Sequence, residues 1–143
     1  MSRPSIKLVA PYELHPRSWG REIVVAETSS YLGKVLRMAR GTAGNLQYHV
    51  QKDETFLLIA GEAIVDYDAG DGSLTRMPLS PLMAVHVPPG APHRVIAVTD
   101  CIFVEFSTPH FDDRVRCERE YGEPEVDGLP STHDPHADAT GQP

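Results

Sequence analysis

The chain has 143 residues, a net charge of −7 and 41% hydrophobic residues, which suits one globular core. No apolar run is long enough to span a bilayer and no charged-then-apolar leader opens the chain, so a membrane partner is not expected. Glu123, Glu125, Asp127, Asp134 and Asp138 account for −5 of that charge, and the remaining body, at −2, offers no basic stripe to a nucleic acid.

In chain order, runs at 22–27, 31–39, 46–51, 54–60, 62–68, 74–79, 84–87, 93–98 and 101–106 read as strands separated by Gly, Pro and Asp turns. Asp68-Ala69-Gly70-Asp71-Gly72 is a hairpin turn. The charged stretch 110–121 has room for one short helix, and 122–143, rich in Pro, Gly and Asp, reads as a disordered or draped tail whose His133 and His136 carry no role. The expected class is all-β, in one domain over 1–121. Cys101 and Cys117 form no disulfide framework; Cys101 opens an apolar strand as a buried thiol, which points to a reducing, cytoplasmic setting.

Chemistry concentrates in two segments. Gln47 and His49 are two apart on a strand and share a face, and Glu54 opens the next strand. If the two strands pair as a hairpin, Glu54 lies beside His49 across the ladder. Later, Pro88-Pro89-Gly90-Ala91-Pro92 forces a turn that delivers His93 to the same interior. An imidazole pair with a carboxylate and an amide oxygen accepts zinc, iron, manganese or nickel, and the lack of thiolates argues against a structural zinc site.

Gly41, Gln47, His49, Glu54 and Gly61 resemble the first cupin motif, with Gln47 in place of its first histidine; Pro88, Gly90 and His93 resemble the second. The leading glycine of that second motif is Leu82 here and its terminal asparagine is Ala97. The closer resemblance is to the cupin domain of type II phosphomannose isomerases. It rests on Leu46-Gln47-Tyr48-His49, Trp19-Gly20, Gly33-Lys34-Val35-Leu36, Val104-Glu105-Phe106 and an ending through Asp112, Asp113, Arg116 and Tyr121-Gly122, and so covers residues 19–122. The chain departs from that family at Lys52, where its arginine is shifted, at Thr55-Phe56 and at Ala97.

The resemblance implies a cupin double-stranded β-helix, or jelly-roll barrel, holding one divalent metal on Gln47, His49, Glu54 and His93, with zinc the first choice. It implies aldose–ketose isomerisation of a sugar or sugar phosphate, with Glu105 and Lys34 as catalytic residues and Lys52 and Arg94 binding substrate. A homodimer is the family's expectation. Each residue also has a plainer role: Lys34 on the surface, Lys52 and Arg94 in salt bridges, Glu105 in a structural ion pair. The alternative functions are a non-catalytic carbohydrate or metabolite binder and a metal-dependent dioxygenase, since one fold hosts many chemistries.

Overall fold

A computed structural model of the chain describes residues 2–14 and 16–134. Among these residues, eleven strands form two antiparallel sheets that face each other as a jelly-roll β-sandwich. The first sheet has the order β1 (Tyr12–Glu13), β2 (Gly20–Glu27), β3 (Leu32–Met38), β10 (Cys101–Ser107), β5 (Glu54–Ala60), β8 (Ala84–Val87). The second has the order β11 (Val115–Arg116), β4 (Gln47–Tyr48), β9 (His93–Ala97), β6 (Ala63–Asp68), β7 (Leu74–Leu79). Of the expected helical stretch, a single 3-10 turn forms at Glu118–Tyr121.

The strands of the first sheet change character along their length. Met38, Leu58, Phe103 and Cys101 are buried at one end, with Val65, Leu79 and Ala97 of the second sheet against them. Phe56 and Phe103 meet edge to face at 5.7 Å, a favourable arrangement for two aromatic quadrupoles. Two residues further along the same inward faces stand Lys34, Glu54 and Glu105, equally buried. An inward period of two is thus kept throughout, but its chemistry switches from apolar to charged, which closes one end of the barrel with a core and leaves the other lined with ions.

The strands at 46–51 and 54–60 do not form the hairpin that their closeness in sequence suggested. β4 is only two residues long and pairs with β9 and β11, whereas β5 pairs with β10 and β8. The link between them crosses from one sheet to the other. Its amides at Val50, Gln51 and Lys52 donate to the carboxylate of Asp113 at 2.7–3.0 Å rather than to a neighbouring strand. Burial would raise the Asp113 pKa, but these three amides hold it below the usual carboxylate value.

At Gly61 the backbone turns between β5 and β6 with φ of 96°, and a Cβ there would lie 2.2 Å from the Asp100 carbonyl oxygen, so no side chain fits. Leu82, standing where the second motif carries glycine, has φ of 72° and is 78% exposed. A left-handed conformation costs a branched side chain about 1–2 kcal/mol. Leu82→Gly is therefore expected to raise unfolding stability by about 0.5–1 kcal/mol after the entropy cost of glycine, measured by urea denaturation.

Candidate metal centre

Strand pairing brings the two motifs together. Gln47 lies opposite His93 in register, and just beyond β4 the His49 carbonyl accepts the Gly90 N–H at 2.7 Å. Gly90 makes that contact from a turn with φ of 84°, a conformation open to glycine after the two prolines. Glu54 enters from the opposite sheet, as the first residue of β5. The motif histidines and the glutamate therefore meet across the barrel, not along one ladder.

The hydrogen bonds fix the state of both rings. His49 Nδ1 contacts the Asp113 carbonyl oxygen, and His93 Nδ1 contacts the Ala91 carbonyl oxygen at 2.9 Å. A carbonyl oxygen only accepts, so each Nδ1 carries its proton and each Nε2 of the neutral ring presents a bare lone pair. Both Nε2 atoms face the same carboxylate oxygen, Glu54 Oε1, at 3.4 Å from His49 and 3.3 Å from His93. The three ligand atoms lie within 4.8 Å of one another and all three residues are buried. Tetrahedral bonds of about 2.1 Å place neighbouring ligand atoms about 3.4 Å apart, a spacing that both Nε2–Oε1 distances match. Protonating both rings instead would put two more positive charges beside the Lys52 ammonium in a buried site. The backbone carbonyls behind each Nδ1 are the outer partners that orient metal-binding histidines.

Behind this triad runs a chain of alternating buried charges. Lys52 Nζ lies 2.9 Å from Glu54 Oε2 and 2.9 Å from Glu105 Oε2. Lys34 Nζ follows, 3.7 Å from Glu105 Oε2 and 2.7 Å from Glu22 Oε1, and Arg17 completes the chain on Glu22 Oε2 at 2.8 Å. Burial would raise the Glu54 pKa, yet the Lys52 charge beside it holds it well below the ordinary value, so it stays anionic. Burial would likewise lower the Lys52 pKa, and the charges of Glu105 and Glu54 outweigh it and raise it above the ordinary lysine value.

A cavity of about 360 Å³ opens over these groups, its apolar wall made by Trp19, Phe56, Phe103 and Phe111. That volume admits a compact organic molecule. Lys34 Nζ sits 5.6 Å from the Phe111 ring centre, a cation–π distance. Gln47 lines the same cavity, with its Oε1 accepting from Asn45 Nδ2 at 3.3 Å. Lys34, Lys52 and Glu105 thus join the triad in one site.

Arg94 lines the same cavity, with its guanidinium engaged in an ion pair: it is in register with Asp66, and its Nη2 binds Asp66 Oδ2 at 2.7 Å. Arg76 binds the same carboxylate from the solvent side at 2.9 Å.

Sequence reasoning missed the cavity's outer rim. Residues 122–134 are draped over the barrel. Ser18 Oγ donates to the Asp127 carbonyl at 2.9 Å, Asn45 Nδ2 to the Leu129 carbonyl at 3.1 Å and Arg114 Nη1 to the Pro130 carbonyl at 3.1 Å. Asp127, Gly128 and Leu129 thereby line the mouth. No spacing in the sequence marks these contacts, because most bind main-chain carbonyls and so leave no residue signature at the accepting position. His133 lies 3.8 Å from the Asp113 carboxylate, and His136 falls outside the described residues.

Solved structures place this architecture. CapF, a capsular polysaccharide assembling protein from Staphylococcus aureus, superposes with a TM-score of 0.64 at 19% identity, over 75% of this chain and 34% of CapF. KdgF from Halomonas sp. gives a TM-score of 0.60 at 17% identity, over 71% of this chain and 90% of KdgF. A cupin superfamily protein from Desulfitobacterium hafniense gives 0.53 at 13% identity, over 75% of this chain and 84% of that one. The chain has the cupin fold. No protein-family model and no curated protein sequence matches it. Among the described residues, no helix is long and apolar enough to cross a membrane.

Two outcomes are expected. Zinc added to metal-stripped protein at a hundred times its Kd should stabilise the fold by about 2.7 kcal/mol, and His93→Ala should abolish that gain, both read by thermal unfolding. Lys52→Met should cost about 3–5 kcal/mol in metal-free protein, because it leaves Glu54 and Glu105 buried without their shared cation; urea denaturation measures it.

Proposed function

We propose that this protein is a metal-dependent cupin that isomerises a sugar or sugar phosphate, working as a cytoplasmic homodimer. The observation that carries the reading is the convergence of two imidazole Nε2 atoms on one carboxylate oxygen, with a second carboxylate, Glu105, one lysine away. A divalent ion held by His49, Glu54 and His93, with Gln47 beside them, would supply Lewis-acid polarisation of a carbonyl oxygen.

The chain's own groups support the rest. Lys52, Lys34 and Ser107 all approach Glu105 through Oε2. Oε1 is the oxygen clear of them, suited to taking a proton from one carbon and returning it to the next. Lys34 and Lys52 present ammonium groups to the anionic oxygens of a substrate, and the aromatic wall takes its apolar faces. The likeness in fold to CapF, which assembles capsular polysaccharide, favours a carbohydrate ligand. Cytoplasmic placement rests on two buried free cysteines, which persist where thiols are kept reduced.

A second reading has an observation of its own. The Lys52–Glu105 pair at 2.9 Å neutralises the base, as in a cavity built to bind a ligand without transforming it. One set of assays separates the two. Metal-loaded protein is expected to interconvert mannose-6-phosphate and its ketose isomer, and Glu105→Gln to lower kcat by about 10²–10⁴-fold while ligand binding persists. Saturable binding of the sugar phosphate with no turnover would favour the binding module, and no binding at all would reject both.

A further inference from the structure

Among the described residues, two buried side-chain nitrogen atoms have no hydrogen-bond partner, Arg17 Nη1 and Arg94 Nε, and both arginines line the cavity over the metal triad. A buried N–H of a charged group loses its hydration, so it calls for an acceptor that the protein itself does not supply. Arg94 Nε carries one N–H, on a guanidinium already held by Asp66. Arg17 Nη1 carries two, the arrangement that holds an oxyanion.

The local fold fixes where that donor stands. Arg17 and Gly20 close a two-residue turn, each amide donating to the other's carbonyl at 3.1 and 3.2 Å. Gly20 has φ of 150°, and a Cβ there would lie 1.9 Å from the Arg37 carbonyl oxygen, so the turn lies directly against β3. Ser18, inside the turn, donates to the Asp127 carbonyl at the cavity mouth. Arg17 commits Nε and Nη2 to one oxygen, Glu22 Oε2, at 2.9 and 2.8 Å. Those two donors lie along one edge of a planar group, so Nη1 is directed away from Glu22.

Lys34 takes the other oxygen, Glu22 Oε1, at 2.7 Å and stands 3.7 Å from Glu105, beyond hydrogen-bond reach. Burial would raise the Glu22 pKa, and Lys34 and Arg17 hold it below the ordinary value, so two cations here share one ionised carboxylate. At the other end of the charge chain Lys52 is flanked by two carboxylates, each at 2.9 Å. The surplus of positive charge therefore lies at the Arg17–Lys34 end, farthest along the chain from the triad.

We propose that Arg17 and Lys34 form an anion-binding subsite of this cavity, and that its ligand is a small polyhydroxylated acid whose carboxylate or phosphate accepts from Arg17 Nη1 and the Lys34 ammonium. This rests on the reading of the cavity as a sugar or sugar phosphate site, and it names the group by which that site selects. A volume of about 360 Å³ holds a molecule of that size.

Calorimetry with the zinc-loaded full chain compares mannose, mannuronate and mannose-6-phosphate, which carry a hydroxyl, a carboxylate and a phosphate on the same carbon. At least one anion is expected to bind about 10–100-fold more tightly than mannose, the fold-change of one charge-assisted hydrogen bond, and which one does so tells carboxylate from phosphate. Arg17→Gln should reduce that preference to about twofold or less, because the directed donor is gone, while zinc and mannose affinities hold. Arg17→Lys keeps a cation on Glu22 but has no Nη1, and should lose most of the preference too. If Arg17→Gln does not fold, Arg17→Lys decides. Wild type that favours neither anion, or binds none of the three sugars, would overturn the subsite. A preference unchanged in the folded variants would also overturn it, leaving Nη1 to a bound water. Anion preference without turnover would sink isomerisation and keep the subsite; turnover of mannose-6-phosphate with KM unchanged in both variants would keep isomerisation and sink the subsite.

Discussion

Glu54 is asked to satisfy two sets of neighbours at once, and the rest of the site is arranged around that demand. Its Oε2 takes the Lys52 ammonium, while its Oε1 faces the Nε2 atoms of His49 and His93. Buried charges are tolerable only when paired, so Lys52 needs Glu105, Glu105 draws Lys34, and Lys34 needs Glu22. The chain of charge ends at Arg17, near the mouth. Three cations and three anions balance along it, and at its inner end the Nε2 atoms of His49 and His93 converge on Glu54 Oε1.

This constraint also shapes the first sheet. Filling the inward ends of β3, β5 and β10 with ions removes apolar side chains from the core at that end of the barrel, and the apolar residues of those strands stand outside instead. A domain of this size gains stability mainly from apolar burial.

The metal triad was legible because its logic is local: Gln47 and His49 alternate on one strand, Glu54 opens another, and the Pro-Gly turn aims His93. The nine expected strands all form, with bounds shifted by a few residues at most except at 46–51, where only Gln47 and Tyr48 pair. What failed was the assumption that neighbours in sequence pair in space. The 49–53 link changes sheets, and its amides are held by Asp113, sixty residues away, which no spacing reveals. Arg94 illustrates a second limit. Beside His93 in sequence and lining the same cavity, it has its guanidinium committed to Asp66, a partner that adjacency to a ligand does not reveal. Glu105 could be placed by parity, but its coupling to Lys52 depends on a contact between β10 and a loop.

The central claim is that His49 and His93 are held as Nδ1–H tautomers with bare Nε2 atoms awaiting a cation. Nitrogen-15 NMR of the histidine side chains, before and after one equivalent of zinc, tests it most directly. The account requires that zinc binding leave both rings as Nδ1–H tautomers, each with its Nε2 resonance displaced by coordination. Nε2–H tautomers at either ring, or imidazolium signals at both that do not change when zinc is added, would contradict it.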